Sequence, residues 1–192
     1  MKIGILGWGS LLTEQGELEI ENNKWYNDGP HVPVEFARIS KDKRLTLVIH
    51  PAFDEVQTYY AVSTFTKLDA AISNLALREK TEKKLDNIAY INFNSGEIRS
   101  KKLQDDLKKT FSIWNLNKNL DALIWTDLDE NFKASTDQPY SLEASIKHLK
   151  SLTPPEFEKA KNYILNAPDQ TITKYRKALT DFINNEKTSL KK

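Results

Sequence analysis

The stretch Ile3-Gly4-Ile5-Leu6-Gly7-Trp8-Gly9-Ser10-Leu11 sets the reading of everything that follows it. Its apolar run, Ile3 to Trp8, breaks at a glycine pair, which is how a buried strand feeding a tight loop reads. Gly7 and Gly9 flank Trp8 and leave backbone N–H groups unshielded by side chains. That suits holding a carboxylate or another anion, and Ser10 adds a hydroxyl. The same glycines fit a plain tight turn, and on the loop alone both readings stand. A dinucleotide loop does not fit: Gly4, Gly7 and Gly9 come in the wrong order for G-x-G-x-x-G, and Leu12 stands where the third glycine belongs.

Moving outward, residues 16–23 fit either a helix or a long loop, and Asn27-Asp28-Gly29-Pro30 is a strong turn signal. Val32 to Ser40 then alternates, with Val34, Phe36 and Arg38 on one face and Glu35, Ala37 and Ile39 on the other. Arg44 to Ile49 follows after the short polar link Lys41-Asp42-Lys43, so the pair predicts an antiparallel hairpin. Thr58 to Phe65, rich in tyrosine, valine and threonine, predicts a further strand. From Lys67 the period changes: Leu68, Ile72, Leu75 and Glu79 share one helical stripe that Ala71 fills.

Beyond that helix the pattern predicts a strand at Ile88 to Phe93, a turn at Asn94-Ser95-Gly96, a charged helix near Leu103 to Phe111 and a strand at Ala122 to Thr126. The remainder reads as helical. Ser141 caps a helix to Leu149, Pro154-Pro155 open another to about Leu165, Ala167-Pro168-Asp169 stop it, and Thr173 to Asn185 supply the last. The lysine-rich end, Lys187 to Lys192, is expected to fray. Without regular βαβ alternation, the expectation is a single α+β domain over residues 1–192, with a mixed, barrel-like sheet and the helices from about Ser141 as an appendage.

Composition bounds the function. At 192 residues, 39% hydrophobic and 29% charged, the chain reads as a soluble globular protein able to bury its own core. Lysine and arginine number 28 against 27 acids, so no net field recruits nucleic acid or an anionic membrane. No stretch approaches the roughly 20 apolar residues of a membrane helix, and the N-terminus lacks a signal-peptide pattern, so a cytoplasmic protein is expected. The absence of cysteine excludes disulfides, thiolate metal sites and cysteine nucleophiles.

Glu79 is the second feature after the loop. A carboxylate on an apolar stripe faces inward, where burial raises its pKa toward the range of a general base. It also ends a charged run, Arg78-Glu79-Lys80 with Glu82, and a solvated pair with a lysine fits equally well. His31, His50 and His148 have no partner at metal-ligand spacing and read as surface or strand residues. Asp127-x-Asp129-x-Asn131 starts like a calcium loop, but Phe132 and Gln138 replace its glycine and terminal glutamate, leaving a loop of solvated acids. Ser10 lacks the G-x-S-x-G setting of an activated nucleophile.

Ile5-Leu6-Gly7-Trp8-Gly9-Ser10-Leu11 resembles the substrate loop of gamma-glutamylcyclotransferases, especially their ChaC-like branch. Leu75-Ala76-Leu77-Arg78-Glu79 resembles the helix on which that family carries its catalytic glutamate. Val34 to Arg38 and Arg44 to Val48 resemble the strands between. The likeness runs from Ile3 to about Ser95, and the C-terminal helices have no firm counterpart.

The resemblance implies a gamma-glutamylcyclotransferase-like fold and a cofactor-free, metal-free reaction. The α-amine of a γ-glutamyl group attacks its own side-chain amide carbonyl, releasing 5-oxoproline and a free amine. It places Glu79 as general base and Gly7, Trp8, Gly9, Ser10 and Leu11 around the substrate. Arg38 joins them as the strand residue most suited to a substrate carboxylate, ahead of Arg44 and Glu35. Two positions depart from the family's usual pattern: Trp8 stands for tyrosine and brings no phenolic hydroxyl, and Leu11 follows the serine where some members have asparagine. The same pocket without turnover, a non-catalytic binding or regulatory module, is the alternative.

Overall fold

In chain order the elements begin with β1 (Ile3–Gly7), α1 (Ser10–Thr13), β2 (His31–Ile39), β3 (Leu45–Ile49), β4 (Glu55–Gln57) and β5 (Tyr59–Val62). Next come α2 (Leu68–Arg78), α3 (Lys84–Asn87), β6 (Ile88–Asn92), β7 (Ile98–Arg99), α4 (Asp105–Asn115) and β8 (Ala122–Thr126). The chain closes with α5 (Phe132–Thr136), α6 (Leu142–Lys150), α7 (Pro154–Leu165) and α8 (Arg176–Ser189). This computed structural model describes residues 1–103 and 105–189. Gln104, within the expected charged helix, and residues 190–192 of the expected frayed tail lie outside the described residues. The described residues divide into two units, Met1–Val32 with Gln57–Leu128, and Pro33–Val56 with the chain from Asp129 onward.

The first unit is built on a five-stranded sheet ordered β5-β1-β8-β6-β7. β1 and β8 run parallel, Ile3 opposite Ala122, while β1–β5, β6–β8 and β6–β7 are antiparallel. Every residue of β1 is buried, as its unbroken apolar run requires of a central strand. α2 lays Ala71, Ile72 and Leu75 on the core formed by Ile3, Ile5, Ala61 and Ile124. Each fully buried leucine or isoleucine there contributes about 1.5–3 kcal/mol. The sheet is mixed, as expected, and it is open, which corrects the barrel. β7 has two residues, and isolated bridges join Tyr26 to Tyr60 of β5 and Ile20 to Ser63 just after it.

The second unit carries the predicted hairpin. β2 and β3 pair antiparallel, Val34 with Ile49 and Glu35 with Val48, then Arg38 with Thr46 and Ile39 with Leu45. The register slips by one residue between Glu35 and Arg38, so Phe36 and Ala37 together face Leu47 in a β-bulge. The bulge explains why Val34, Glu35, Phe36 and Ala37 are all buried where simple alternation allows two of four.

The run expected as a single strand from Thr58 to Phe65 is different in detail. Thr58, fully buried, turns its hydroxyl to the Pro30 carbonyl and separates β4, which lies beside β2, from β5, which pairs with β1.

Helix starts follow their caps. Ser141 accepts the Ala144 N–H at 3.1 Å to open α6. Thr153 and Glu156 form a capping box ahead of α7, whose first residue is Pro154. α8 begins at Arg176, three residues later than expected, because the Thr173 hydroxyl and the Tyr175 N–H are both bonded to the Glu35 carboxylate. No helix among the described residues is long and apolar enough to cross a membrane.

Candidate functional site

At the end of β1 the chain must turn within a crowded space. A Cβ on Gly7 would stand 2.7 Å from the Trp25 ring and 3.1 Å from a Leu12 methyl, so glycine is the residue that fits. Trp8 is 4% exposed and Leu11 6%, so both side chains are packed inside, and whatever they offer a ligand comes from their backbone. Gly9 precedes α1 with no side-chain cap, and Ser10 opens that helix.

Glu79 arrives from the other side, just after the last residue of α2. The helix closes in a Schellman motif: Lys80 takes the left-handed conformation at φ 51°, its N–H reaches the Leu77 carbonyl, and the Thr81 N–H reaches Ala76. That closure fixes the direction of Arg78 and Glu79. The Arg78 guanidinium donates through Nη1 to Glu79 Oε1 at 2.9 Å, and through Nη2 to Ser10 Oγ at 3.2 Å and the Glu14 carbonyl at 2.7 Å. Ser10, Glu14 and Glu79 are thereby held on one planar cation.

Buried Asn74 supports the segment that follows α1. Its amide donates to the Glu17 carbonyl at 2.8 Å and accepts the Glu19 N–H at 2.9 Å.

The Glu79 side chain is 18% exposed. Burial pushes its carboxyl above the usual carboxylate range, while the Arg78 charge and hydrogen bond draw it back in part. This is not the solvated lysine pair that the charged run also allowed: the partner is Arg78, and it is largely buried too.

Among the expected site residues, the structure brings together Ser10 and Glu79, with Gly7 to Leu11 forming the adjoining turn. Arg38 belongs to the second unit, where it donates to the Asp129 carbonyl. Arg44 is in that unit as well, paired with Asp42 at 2.9 Å. Glu35 is fully buried and saturated, accepting from the Thr173 hydroxyl at 2.6 Å, the Phe36 N–H at 2.8 Å and the Tyr175 N–H at 3.0 Å.

Two other expectations are corrected. His148 is not a surface or strand residue: it is 9% exposed, on α6, with Nε2 at 2.8 Å from the Lys43 carbonyl. Asp127 is not solvated. At 2% exposure it accepts from the Ser100 hydroxyl and the Lys101 N–H, because β8 carries it inside before the loop begins. Arg78 is the residue that sequence reasoning passed over as a site member. The available signal was its place on the last turn of α2, directly before Glu79. Among the described residues no three His, Asp or Glu side chains gather as a metal site.

Compared with family models, with curated proteins and with solved structures, the chain finds no match in any of the three.

Proposed function

We propose that the chain is a gamma-glutamylcyclotransferase-type enzyme acting on a γ-glutamyl amide or peptide, with Glu79 as general base. The observation that carries this reading is the Arg78 bridge. It sets a largely buried carboxylate, whose proton affinity burial raises, beside the glycine-serine turn at the end of β1.

In the reaction, Glu79 takes a proton from the substrate ammonium, and the freed amine attacks the side-chain carbonyl carbon. The C–N bond to the leaving amine then breaks as Glu79 returns the proton to it, and the second proton of the ring nitrogen follows, which leaves the lactam N–H and a free ammonium. Oε1 is held by Arg78, which leaves Oε2 to meet the ammonium at about 3 Å. The Leu12 N–H is spent on the Gly9 carbonyl at 3.1 Å, so the developing oxyanion falls to the N–H groups of Ser10 and Leu11. Trp8 brings no phenol and its ring is buried, so the polar contacts fall to the backbone and Ser10. Folding the glutamyl group so that amine and carbonyl meet is the larger part of the task.

The test is release of 5-oxoproline from a panel of γ-glutamyl peptides and amines, followed by mass spectrometry, with Glu79→Gln losing activity while keeping its fold. Full turnover in that variant sinks the mechanism. A second reading, binding without turnover, draws on the same bridge, since Arg78 occupies both the carboxylate and the Ser10 hydroxyl. Thermal stabilisation by γ-glutamyl compounds with no product formed would favour it.

A further inference from the structure

The second unit holds a cavity of about 660 Å³, within the size range of metabolite sites. Four cations line it, Arg38, Lys41, Lys43 and Lys147, against the single carboxylate of Glu156. Basic and acidic residues stand at 28 to 27 over the whole chain, so four to one is a local concentration of charge.

Two acids reach cations of this set, Asp129 acting on Arg38 and Glu156 on Lys43. Glu156 spends its Oε2 on the Thr153 N–H at 2.9 Å and the Thr153 hydroxyl at 2.7 Å. Asp42, in the turn between Lys41 and Lys43, is engaged by Arg44 and the Ser40 hydroxyl. Among the described residues, Lys41 and Lys147 have no ion-pair partner.

The frame around these cations is fixed. The Asn131 amide bonds both the N–H and the carbonyl of Ile39, at 2.8 and 2.9 Å, and joins the end of β2 to the start of α5. The turn is pinned to α6 where His148 Nε2 meets the Lys43 carbonyl. Lys43 itself sits at φ 68°, a hairpin position that glycine or asparagine takes with least strain. A lysine there is strained, and it puts an ammonium on the rim.

The polar groups also define what kind of ligand fits. Three ammonium point charges on the rim and a half-buried guanidinium suit the oxygens of a multiply charged tetrahedral anion better than one flat carboxylate. The Ser151 hydroxyl donates backward to the His148 carbonyl and presents its oxygen as an acceptor for a hydroxyl group, while Thr136 donates to the Phe132 carbonyl and accepts the Gln138 N–H.

We infer that this cavity binds a small polyanion of the phosphate-ester class, with Arg38 at its floor and Lys41, Lys43 and Lys147 at its rim. The site does not depend on the Glu79 reading. It is tested on the full chain by calorimetric titration with inorganic pyrophosphate. The expected result is saturable one-to-one binding that Lys41→Ala with Lys147→Ala weakens about tenfold or more, as loss of charge-assisted contacts does.

Lys159→Ala, an exposed lysine of α7 outside the lining, is expected to bind as the wild type does. Both lysines removed in the test are exposed, so thermal melts should coincide and separate lost binding from lost fold. No saturable binding of pyrophosphate, or an equal loss in Lys159→Ala, overturns the site.

Discussion

The Glu35 carboxylate accepts the Thr173 hydroxyl at 2.6 Å, joining residues 138 positions apart inside the second unit. All three of its described partners are donors, so a neutral amide cannot replace it: one end of a glutamine would turn an N–H toward another N–H. Glu35→Gln is therefore expected to destabilise the protein by about 1–3 kcal/mol, the cost of a buried unsatisfied donor. Urea melts measure this, and an unchanged midpoint would show that the carboxylate is not the tie.

Burial raises the carboxyls of Glu35 and Glu79 alike, but among the described residues Glu79 lacks the set of three donors that requires a carboxylate at Glu35. Arg78 offsets the rise at Glu79 only in part. A carboxyl whose pKa rises on folding lends stability below its unfolded value of about 4.3, and that stability is lost as pH climbs through the native value. Glu79→Gln has no such proton to lose. It should be more stable than the wild type at pH 7 and lose the advantage near pH 4, as followed by urea melts across that range. A constant difference at every pH would contradict the burial argument.

At the end of α2, Lys80 holds the left-handed position of a Schellman motif without a glycine. Lys80→Gly relieves about 1 kcal/mol of backbone strain there, less some loss from the freer unfolded chain. A rise in Tm of about 1–3 °C is expected in calorimetry.

Gly7→Ala places a methyl against the Trp25 ring and Leu12. Overpacking of this kind costs about 1–3 kcal/mol. It should be visible both as a lower unfolding midpoint and as a change in tryptophan emission, since Trp25 must move. A silent substitution would mean that the turn has room the structure does not show.

Local chemistry explains which elements were legible in the sequence. The apolar run Ala122 to Thr126 between polar flanks and the Thr153-Pro154-Pro155 start have one reading each, and the strand and the helix lie where those signals place them. Long-range choices were not legible. Nothing in Thr58 announces that its hydroxyl turns to Pro30 and divides one β-rich run between two sheets. The bulge at Phe36 and Ala37 is likewise set by the partner strand.

The Glu79 and Ser10 pair was legible because one turn and one helix end carry it. The cationic cavity was not, because its residues come from the β2–β3 turn, α5, α6 and the start of α7, with no motif inside any of them.

Ile3 pairs with Ala122 in parallel, and that pairing constrains how the protein can be made. In an emerging chain the parallel partner of β1 leaves the ribosome about 120 residues after it, some 6–24 s at ordinary rates of synthesis. During that interval β1 has β5 alone to pair with, and residues 33–56 of the other unit have already passed. Glu35 waits longer still for Thr173. Neither unit closes until its later segment has emerged, and through that interval β1 is an uncovered sticky strand, the condition in which a holding chaperone has most to do.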